Sequence, residues 1–198
     1  FEKYSAASTM GILMEVETGR ILAMSSYPKA SNNAEVKNRP ITDMFEPGSI
    51  FKPITVAMGL DTGVITPNST LYSAGYIKVY DRIIKDSSEA PKGTKTIEDL
   101  VAYSGNVGMV VIGSRIDAKV FHNYLDRVGM GKKTGIDTFA EMSPKLLSLK
   151  DLTAVRKSNV SFGQGIAMTQ IQMITSINAV VNNGKLMKPY LVDRLEDD

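Results

Sequence analysis

The segment from Ser49 to Leu60 places the strongest constraint on the fold, because its apolar residues surround a helix instead of lining one side of it. A helix that is apolar all round has to be covered by other elements, so we expect this one to run through the core. The sequence Asp61-Thr62-Gly63 is expected to end it. The apolar residues of the segment are Ile50, Phe51, Ile54, Val56, Ala57, Met58 and Leu60.

Shorter patterns predict the other elements. Alternating apolar residues within residues 9–24 predict a β-hairpin, with Gly19 at its tight turn. Residues 25–45 show neither a helical nor a strand period and are expected to form a loop, whereas residues 64–95 carry turn signals between short strand-like pieces. One hairpin followed by a block of helices predicts an α+β fold. Helices are expected over residues 96–103, where Thr96 and Asp99 form a weak capping box, and over residues 106–116 and 118–128. Another is expected after a capping box at Thr169 and Gln172, as far as Gly184.

Composition excludes several kinds of protein. With 198 residues, 43% hydrophobic and 22% charged, the chain can form one large globular domain or two small ones. The net charge is only +2 and the Lys and Arg residues are scattered, so the sequence predicts no basic patch for a nucleic-acid partner. The chain has no cysteine, which excludes disulfides and thiol catalysis, and a single histidine, His122, is too few for a histidine triad or a multi-histidine metal site. Any catalytic base must therefore be another type of residue.

Two Ser-x-x-Lys strings offer such a base, and their surroundings differ. In Ser26-Tyr27-Pro28-Lys29 the proline makes helical spacing between serine and lysine improbable. In Ser49-Ile50-Phe51-Lys52 the serine follows Pro47-Gly48 and begins the core helix, so the two side chains are expected one turn apart on the same face, within hydrogen-bond reach of each other. The second string is therefore the candidate catalytic pair.

The chemistry of the pair Ser49 and Lys52 is that of acyl transfer. A serine hydroxyl becomes a good nucleophile when a base takes its proton, and a lysine can act as that base when burial destabilises its ammonium. The free N–H groups of the first helical turn favour the negative charge that develops during the reaction. The tetrapeptide alone leaves open that Ser49 only caps the helix and that Lys52 is a surface lysine.

A serine-lysine site also needs a group that carries a proton to the leaving group and one that holds the substrate amide. A Ser-x-Asn string could supply both, and the chain contains three. Ser31-Asn32-Asn33 lies in the polar loop, and Ser176-Ile177-Asn178 lies inside an amphipathic helix. Ser104-Gly105-Asn106 links two predicted helices, with glycine expected to allow a tight bend, so this string is the candidate.

These motifs, in this order, resemble the transpeptidase domain of class B penicillin-binding proteins. Glu46 to Pro53 resembles the nucleophile motif of that family with its flanks, and Ser104 to Met109 resembles its second motif. Gly129 to Glu141 is similar to the loop that follows the family's helical subdomain. The segment Ser161 to Ile166, with the sequence SFGQGI, is similar to the family's return toward the sheet and favours the division type over the elongation type.

The resemblance implies a penicillin-binding protein/β-lactamase-like α+β fold. Residues 1–198 would be part of a transpeptidase domain, with 1–30 as the hairpin of an antiparallel sheet and 46–190 as the helical part with both motifs. Lys133-Thr134-Gly135 spells the family's third motif but precedes any returning strand, so we interpret it as a structural loop, with Lys133 exposed and distant from Ser49. The functional third motif and the C-terminal strands are expected beyond Asp198, and the isolated chain is expected to be impaired or inactive.

The resemblance also implies a function. Ser49 would be the nucleophile and Lys52 its base in a D,D-transpeptidase that cross-links peptidoglycan stem peptides ending in D-Ala-D-Ala, and β-lactams would acylate the same serine. Ser104 would pass a proton to the leaving group and Asn106 would hold the substrate amide, so that Ser49, Ser104 and Asn106 also contact the substrate. The family needs neither a metal nor an organic cofactor for this reaction.

The remaining expectations concern location and alternative functions. The family implies an N-terminal membrane anchor outside this sequence, a catalytic domain on the extracytoplasmic side of the bacterial membrane, and partners in a cell-wall synthesis complex. A β-lactam sensor domain, a β-lactamase-related hydrolase of the same fold and a non-catalytic interaction domain stay open as alternatives. The hydrolase is disfavoured, because Glu141-Met142-Ser143-Pro144-Lys145 does not match the water-activating loop of class A β-lactamases.

Overall fold

The computed structural model describes residues 2–28, 37–87 and 90–196. The chain forms two compact units that are interleaved in sequence. We call the first the hairpin unit (residues 1–45, 128–145 and 168–198) and the second the motif unit (residues 46–127 and 146–167). The hairpin unit therefore includes residues 128–145 and 168–190, which were predicted to belong to the helical part 46–190. The boundaries of that helical part stay a prediction.

Short helices and strands alternate along the chain. A 3₁₀ turn, Gly48–Phe51, runs directly into the helix α2. In chain order, the elements are β1 (Thr9–Met14), β2 (Ile21–Tyr27), α1 (Arg39–Thr42), β3 (Met44–Phe45), α2 (Lys52–Asp61), β4 (Thr70–Ser73), β5 (Tyr76–Val79), β6 (Arg82–Lys85), β7 (Gly93–Thr96), α3 (Ile97–Ala102), α4 (Asn106–Arg115), α5 (Ala118–Arg127), α6 (Ala154–Val160), β8 (Met168–Thr169) and α7 (Gln170–Val181).

The hairpin unit contains the predicted hairpin. Strands β1 and β2 are antiparallel, with Ile12 opposite Met24. Gly19 has a φ of +81°, and a Cβ placed there would lie 2.8 Å from the carbonyl oxygen of Lys188, so both backbone conformation and space require glycine. Helix α7 begins at the predicted capping box of Thr169 and Gln172. The core of this unit is formed by Met14, Ile21, Ile41, Ile136 and Ile171.

One expectation about an irregular segment is wrong, and one helix was missed. Residues 25–45 are not simply a loop, because β2 continues to Tyr27 and the segment also contains α1 and β3; residues 29–36 lie outside the described residues. Ile41 of α1 is fully buried, so packing stabilises an element too short to show a period. Helix α6 was also not predicted, although Thr153 caps it by accepting a hydrogen bond from the Arg156 N–H.

The motif unit is built around α2, α4 and α6. Helix α2 packs against α4, and α4 packs against α6, which confirms that the segment beginning at Ser49 lies in a core. A Cβ at Gly59 would lie 2.7 Å from the Ile112 side chain, so glycine lets α2 and α4 approach closely. Strand β4 pairs with β7 and β5 with β6, and the predicted helices 96–103, 106–116 and 118–128 are confirmed as α3, α4 and α5.

Neither unit shows a membrane span or a metal cluster in the part that the structure describes. Among residues 2–28, 37–87 and 90–196, no helix is both long and apolar enough to cross a bilayer. The same residues contain no group of three or more His, Asp or Glu side chains arranged to hold a metal ion.

Candidate active site

Ser49 and Lys52 lie where the 3₁₀ turn Gly48–Phe51 passes into α2. The Lys52 N–H donates to the Ser49 carbonyl, and residues three apart in a 3₁₀ turn lie above one another. Ser49 is exposed, whereas the Lys52 side chain is only 2% exposed. The two residues are therefore one turn apart, as predicted, and Lys52 is not a surface lysine.

The Lys52 amine contacts the second motif directly. Its Nζ atom donates to the Ser104 carbonyl oxygen at 2.5 Å and to Ser104 Oγ at 2.8 Å. Burial lowers the pKa of Lys52 to about 8, and the nearby Asp86 carboxylate opposes this by raising it. A lysine with this pKa is partly neutral near neutral pH, so it can accept a proton.

One predicted contact is absent. Ser49 Oγ forms no hydrogen bond with any residue that the structure describes, so the expected hydrogen bond between Ser49 and Lys52 is not present. The reason is that the Lys52 amine is directed toward the carbonyl and hydroxyl of Ser104. Catalytic hydrogen bonds are commonly long or misaligned before substrate binds, and the Ser49 hydroxyl remains available to a ligand.

The bend that carries the second motif differs from the prediction. Gly105 was expected to provide the unusual backbone conformation, but its φ and ψ of −66° and 120° are accessible to any residue. The left-handed residue is Ser104, with a φ of +56°. This conformation costs a non-glycine residue roughly 1 kcal/mol or more. It places the Ser104 hydroxyl and carbonyl together against Lys52.

Asp86 holds this bend, and sequence reasoning missed it. Its Oδ1 atom accepts from the Val107 N–H at 2.8 Å and its Oδ2 atom from Ser73 Oγ at 2.6 Å. The Asn106 side-chain amide donates to the Lys85 carbonyl at 2.8 Å. The end of β6 is therefore fixed to the first turn of α4. No local motif marks Asp86, because its partners are distant in sequence.

The turn before Ser49 is fixed from the other side by the segment that follows α6. The Gly48 N–H donates to the Gly163 carbonyl at 2.9 Å, and the Gly165 N–H donates to Glu46 Oε1 at 3.1 Å. A Cβ on Gly163, which has a φ of +81°, would lie 2.0 Å from the Gly48 carbonyl oxygen. The segments Glu46 to Pro53 and Ser161 to Ile166, which resemble motifs of the same family, therefore contact each other directly.

Comparison with known proteins shows what this site belongs to. The family profile described as the penicillin binding protein transpeptidase domain matches residues 9–198. The chain belongs to this family. It is 32% identical to a peptidoglycan D,D-transpeptidase FtsI homolog of Mesostigma viride, over 99% of this chain and 36% of that protein.

Two further curated relatives match nearly the whole of this transpeptidase-family chain. They are the stage V sporulation protein D of Bacillus subtilis, 32% identical over 96% of this chain and 31% of that protein, and the peptidoglycan D,D-transpeptidase FtsI of Escherichia coli, 28% identical over 96% and 33%. The chain therefore spans about a third of the length of the curated relatives it matches.

Solved structures agree with the α+β penicillin-binding fold. A peptidoglycan glycosyltransferase from Burkholderia ambifaria is similar with a TM-score of 0.89 and 26% identity, over 100% of this chain and 60% of that one. The apo transpeptidase domain of Burkholderia pseudomallei penicillin-binding protein 3 gives a TM-score of 0.88 and 26% identity, over 98% and 56%. The expected fold class is confirmed.

In this transpeptidase-family chain, the string Lys133-Thr134-Gly135 forms a loop closed by Glu141. The buried carboxylate of Glu141 accepts from the Thr134 hydroxyl at 2.7 Å, from the Thr134 N–H at 2.5 Å and from the Gly135 N–H at 3.1 Å. The threonine hydroxyl is thus occupied within the hairpin unit. Lys133 is exposed, as predicted, and its distance from Ser49 stays a prediction.

The remaining serine motifs of the transpeptidase-family chain lie elsewhere. Ser176 and Asn178 are inside α7, as predicted, and both side chains bind backbone carbonyls. Ser26 lies in β2, whereas its partner Lys29 and the string Ser31-Asn32-Asn33 lie outside the described residues. His122 Nε2 donates a hydrogen bond to the Leu147 carbonyl oxygen at 2.8 Å, which gives this side chain a structural contact.

Proposed function

We propose that the protein is a peptidoglycan D,D-transpeptidase with Ser49 as its nucleophile. The observation that carries this proposal is the contact of a nearly buried Lys52 amine with Ser104 Oγ at 2.8 Å, one turn from the exposed Ser49. The names of the FtsI relatives support the same reaction. The assignment of the catalytic and substrate-binding residues Ser49, Lys52, Ser104 and Asn106 is part of the proposal.

The first half of the reaction forms an acyl-enzyme. Neutral Lys52 takes the Ser49 proton as Oγ bonds to the carbonyl carbon of a D-Ala-D-Ala peptide bond. The negative charge that develops on the carbonyl oxygen is favoured by N–H groups at the helix start. When the C–N bond breaks, Ser104 passes a proton from Lys52 to the departing D-alanine nitrogen. This order requires the short contact between Lys52 and Ser104.

The second half transfers the acyl group. An amine of another stem peptide attacks the Ser49 ester, gives up a proton through the same lysine and serine, and releases Ser49. Asn106 is assigned to the substrate amide; one of its N–H bonds is held by the Lys85 carbonyl, which fixes the orientation of the side chain. β-Lactams would open on the same Ser49 hydroxyl, and the proposed steps use only protein side chains.

The cellular setting is proposed from the relatives. The names FtsI and stage V sporulation protein D favour a division-type role in bacterial cell-wall synthesis. We place the catalytic domain on the extracytoplasmic side of the membrane, with an N-terminal anchor outside this sequence. Its partners would then be peptidoglycan stem peptides, β-lactams and other proteins of the cell-wall synthesis complex.

The proposal is tested with the full-length gene product, a D-Ala-D-Ala peptide and an acceptor amine. Wild-type protein should release D-alanine and form the cross-linked peptide, and Ser49→Ala should form none. Ser26→Ala, which alters the other Ser-x-x-Lys string, is the matched control and should retain activity. Hydrolysis without transfer would indicate a hydrolase, penicillin binding without peptide turnover a sensor, and neither activity an interaction domain; each result would overturn the proposed transpeptidase.

A further inference from the structure

A groove of about 530 Å³ lies within the motif unit and begins at the candidate site. One wall comes from β6 and from Asn106 at the start of α4, and the opposite wall comes from α6 and the segment after it. Asn106 is the residue assigned above to the substrate amide. A molecule bound at Asn106 can therefore extend along the groove.

The charged side chains that line this groove are both cationic. They are Arg82 and Lys85, two exposed residues of β6. Lys85 makes no ion pair within the part of the chain that the structure describes, and Arg82 has only a long contact of 3.8 Å with the exposed Asp81. The Asp86 carboxylate is not part of the groove lining, and its oxygens accept hydrogen bonds from Val107 and Ser73.

The opposite wall offers amide groups. Asn159 and Gln164 line the groove, and neither side-chain amide forms a hydrogen bond with a described residue. Primary amides can donate to and accept from a peptide backbone. The buried Phe162 and Ile84 give the groove an apolar floor. Amide groups, an apolar surface and two cations together suit an extended peptide that carries a carboxylate.

Both walls are fixed with respect to Ser49 inside one compact unit. Asn106 binds the Lys85 carbonyl at 2.8 Å, which locates the cationic end of β6 beside the second motif. On the other side, the Gly163 carbonyl accepts from the Gly48 N–H at 2.9 Å, directly before Ser49. A ligand in this groove would therefore be held in a fixed position relative to Ser49.

We propose that Arg82 and Lys85 form a carboxylate-recognition subsite for the peptide substrate of this enzyme. The inference rests on the proposed transpeptidase function and adds to it a preference for donor peptides with a free carboxylate on a residue before D-Ala-D-Ala over the same peptides with that group amidated. Arginine binds carboxylates through two parallel N–H bonds, and lysine adds a point charge. Each exposed pair should contribute roughly a two- to fivefold preference.

The test compares two D-Ala-D-Ala peptides that differ only in one free or amidated carboxylate. For each variant of the full-length gene product, the ratio of the two kcat/KM values is measured at low and high salt. Wild-type protein should prefer the free carboxylate, and the preference should weaken with salt because the site is exposed. The double variant Arg82→Gln/Lys85→Gln should bring the ratio close to one, whereas Lys85→Arg should retain it.

A matched control separates recognition from net charge. Lys119→Gln removes a cation from an exposed position of α5 in the same unit and should leave the ratio unchanged. A double variant that loses activity equally toward both peptides, or a ratio near one in the wild type, would overturn the subsite. If no variant turns over either peptide, the transpeptidase proposal fails separately, and fluorescence titration of both peptides onto Ser49→Ala still measures the carboxylate preference directly.

Discussion

Two Ser-x-Asn strings of this chain have opposite surroundings. In Ser104-Gly105-Asn106 the serine has a left-handed backbone, and its hydroxyl contacts a buried amine. In Ser176-Ile177-Asn178 the serine is helical and only 1% exposed. Its hydroxyl donates to the Val128 and Gln172 carbonyls at 2.7 and 2.8 Å, so these are alternative acceptors for one proton.

The difference shows what converts a common string into a candidate site. Asn178 donates to the Val16 carbonyl at 3.0 Å, and this side chain joins α7 to the hairpin within one unit. The Ser176 string therefore uses its polar atoms for structure. In the Ser104 string, the Asn106 amide is held by the Lys85 carbonyl, and the Ser104 hydroxyl contacts the Lys52 amine. We expect substitutions in the Ser176 string to change stability and substitutions in the Ser104 string to change acylation.

The largest expected effect is on acylation. Ser104→Ala should slow acylation by penicillin by on the order of a hundredfold or more, because the proton relay from Lys52 loses its hydroxyl. Ser176→Ala is the matched control and should change the rate little. Stopped-flow labelling with a fluorescent penicillin measures both.

The Ser104 comparison needs a second variant, because alanine at a left-handed position could disturb the bend. Ser104→Gly removes the hydroxyl and favours the observed φ of +56°. It should be as slow as Ser104→Ala. A fast Ser104→Gly variant would show that the hydroxyl is not needed and would remove the distinction between the two strings.

The second expected effect is on stability, and it should appear in the Ser176 variant but not in the Ser104 variant. Ser176→Ala should destabilise the hairpin unit by about 1 kcal/mol, because the part-buried Val128 carbonyl loses its side-chain donor. Hydrogen exchange of residues 168–184 at increasing urea concentration measures the loss. Ser104→Gly should leave exchange in this segment unchanged; equal exchange in the two variants would contradict the structural role of Ser176.

The third prediction concerns pH. Acylation should rise with pH through the Lys52 pKa of about 8, because only the neutral amine can accept the Ser49 proton. Asp86→Asn keeps an acceptor for the Val107 N–H but removes the anion that raises the pKa of Lys52. Its pH profile should therefore move toward lower pH. A shift toward higher pH, or none, would show that Asp86 does not act on Lys52 through its charge.

The smallest effect is expected at Gly105. Its backbone conformation is ordinary, and a Cβ there would lie 3.3 Å from the flexible end of the Leu100 side chain. Gly105→Ala should therefore change the free energy of unfolding by less than about 1 kcal/mol and acylation by only a few-fold. Urea unfolding and penicillin labelling test this, and a large loss would mean that the bend depends on glycine after all.

The sequence was sufficient for the elements that carry their own local signals. The hairpin was recognisable from its alternation and Gly19, and helices α3 and α7 from the capping boxes at Thr96 and Thr169. Helix α1 and strand β3 were not recognisable, because four- and two-residue elements have no period and depend on the burial of residues such as Ile41.

The candidate site was predictable only in part. The spacing of Ser49 and Lys52 is local, and the bend at Ser104 follows from its place between two helices. Asp86 was not predictable, because Ser73 and Val107, its hydrogen-bond partners, come from separate elements. The lowered pKa of Lys52 also depends on burial by distant segments, and the residues Ser49 to Lys52 alone do not reveal that burial.

Peptide mapping of the penicillin adduct is the decisive test of Ser49 as the nucleophile. The full-length gene product is treated with a β-lactam, digested and examined by mass spectrometry, with Ser49→Ala as the matched variant. We expect a single adduct on the peptide that contains Ser49 and none in the variant. An adduct on another serine, or one that persists in Ser49→Ala, would contradict the assignment of Ser49 as the nucleophile.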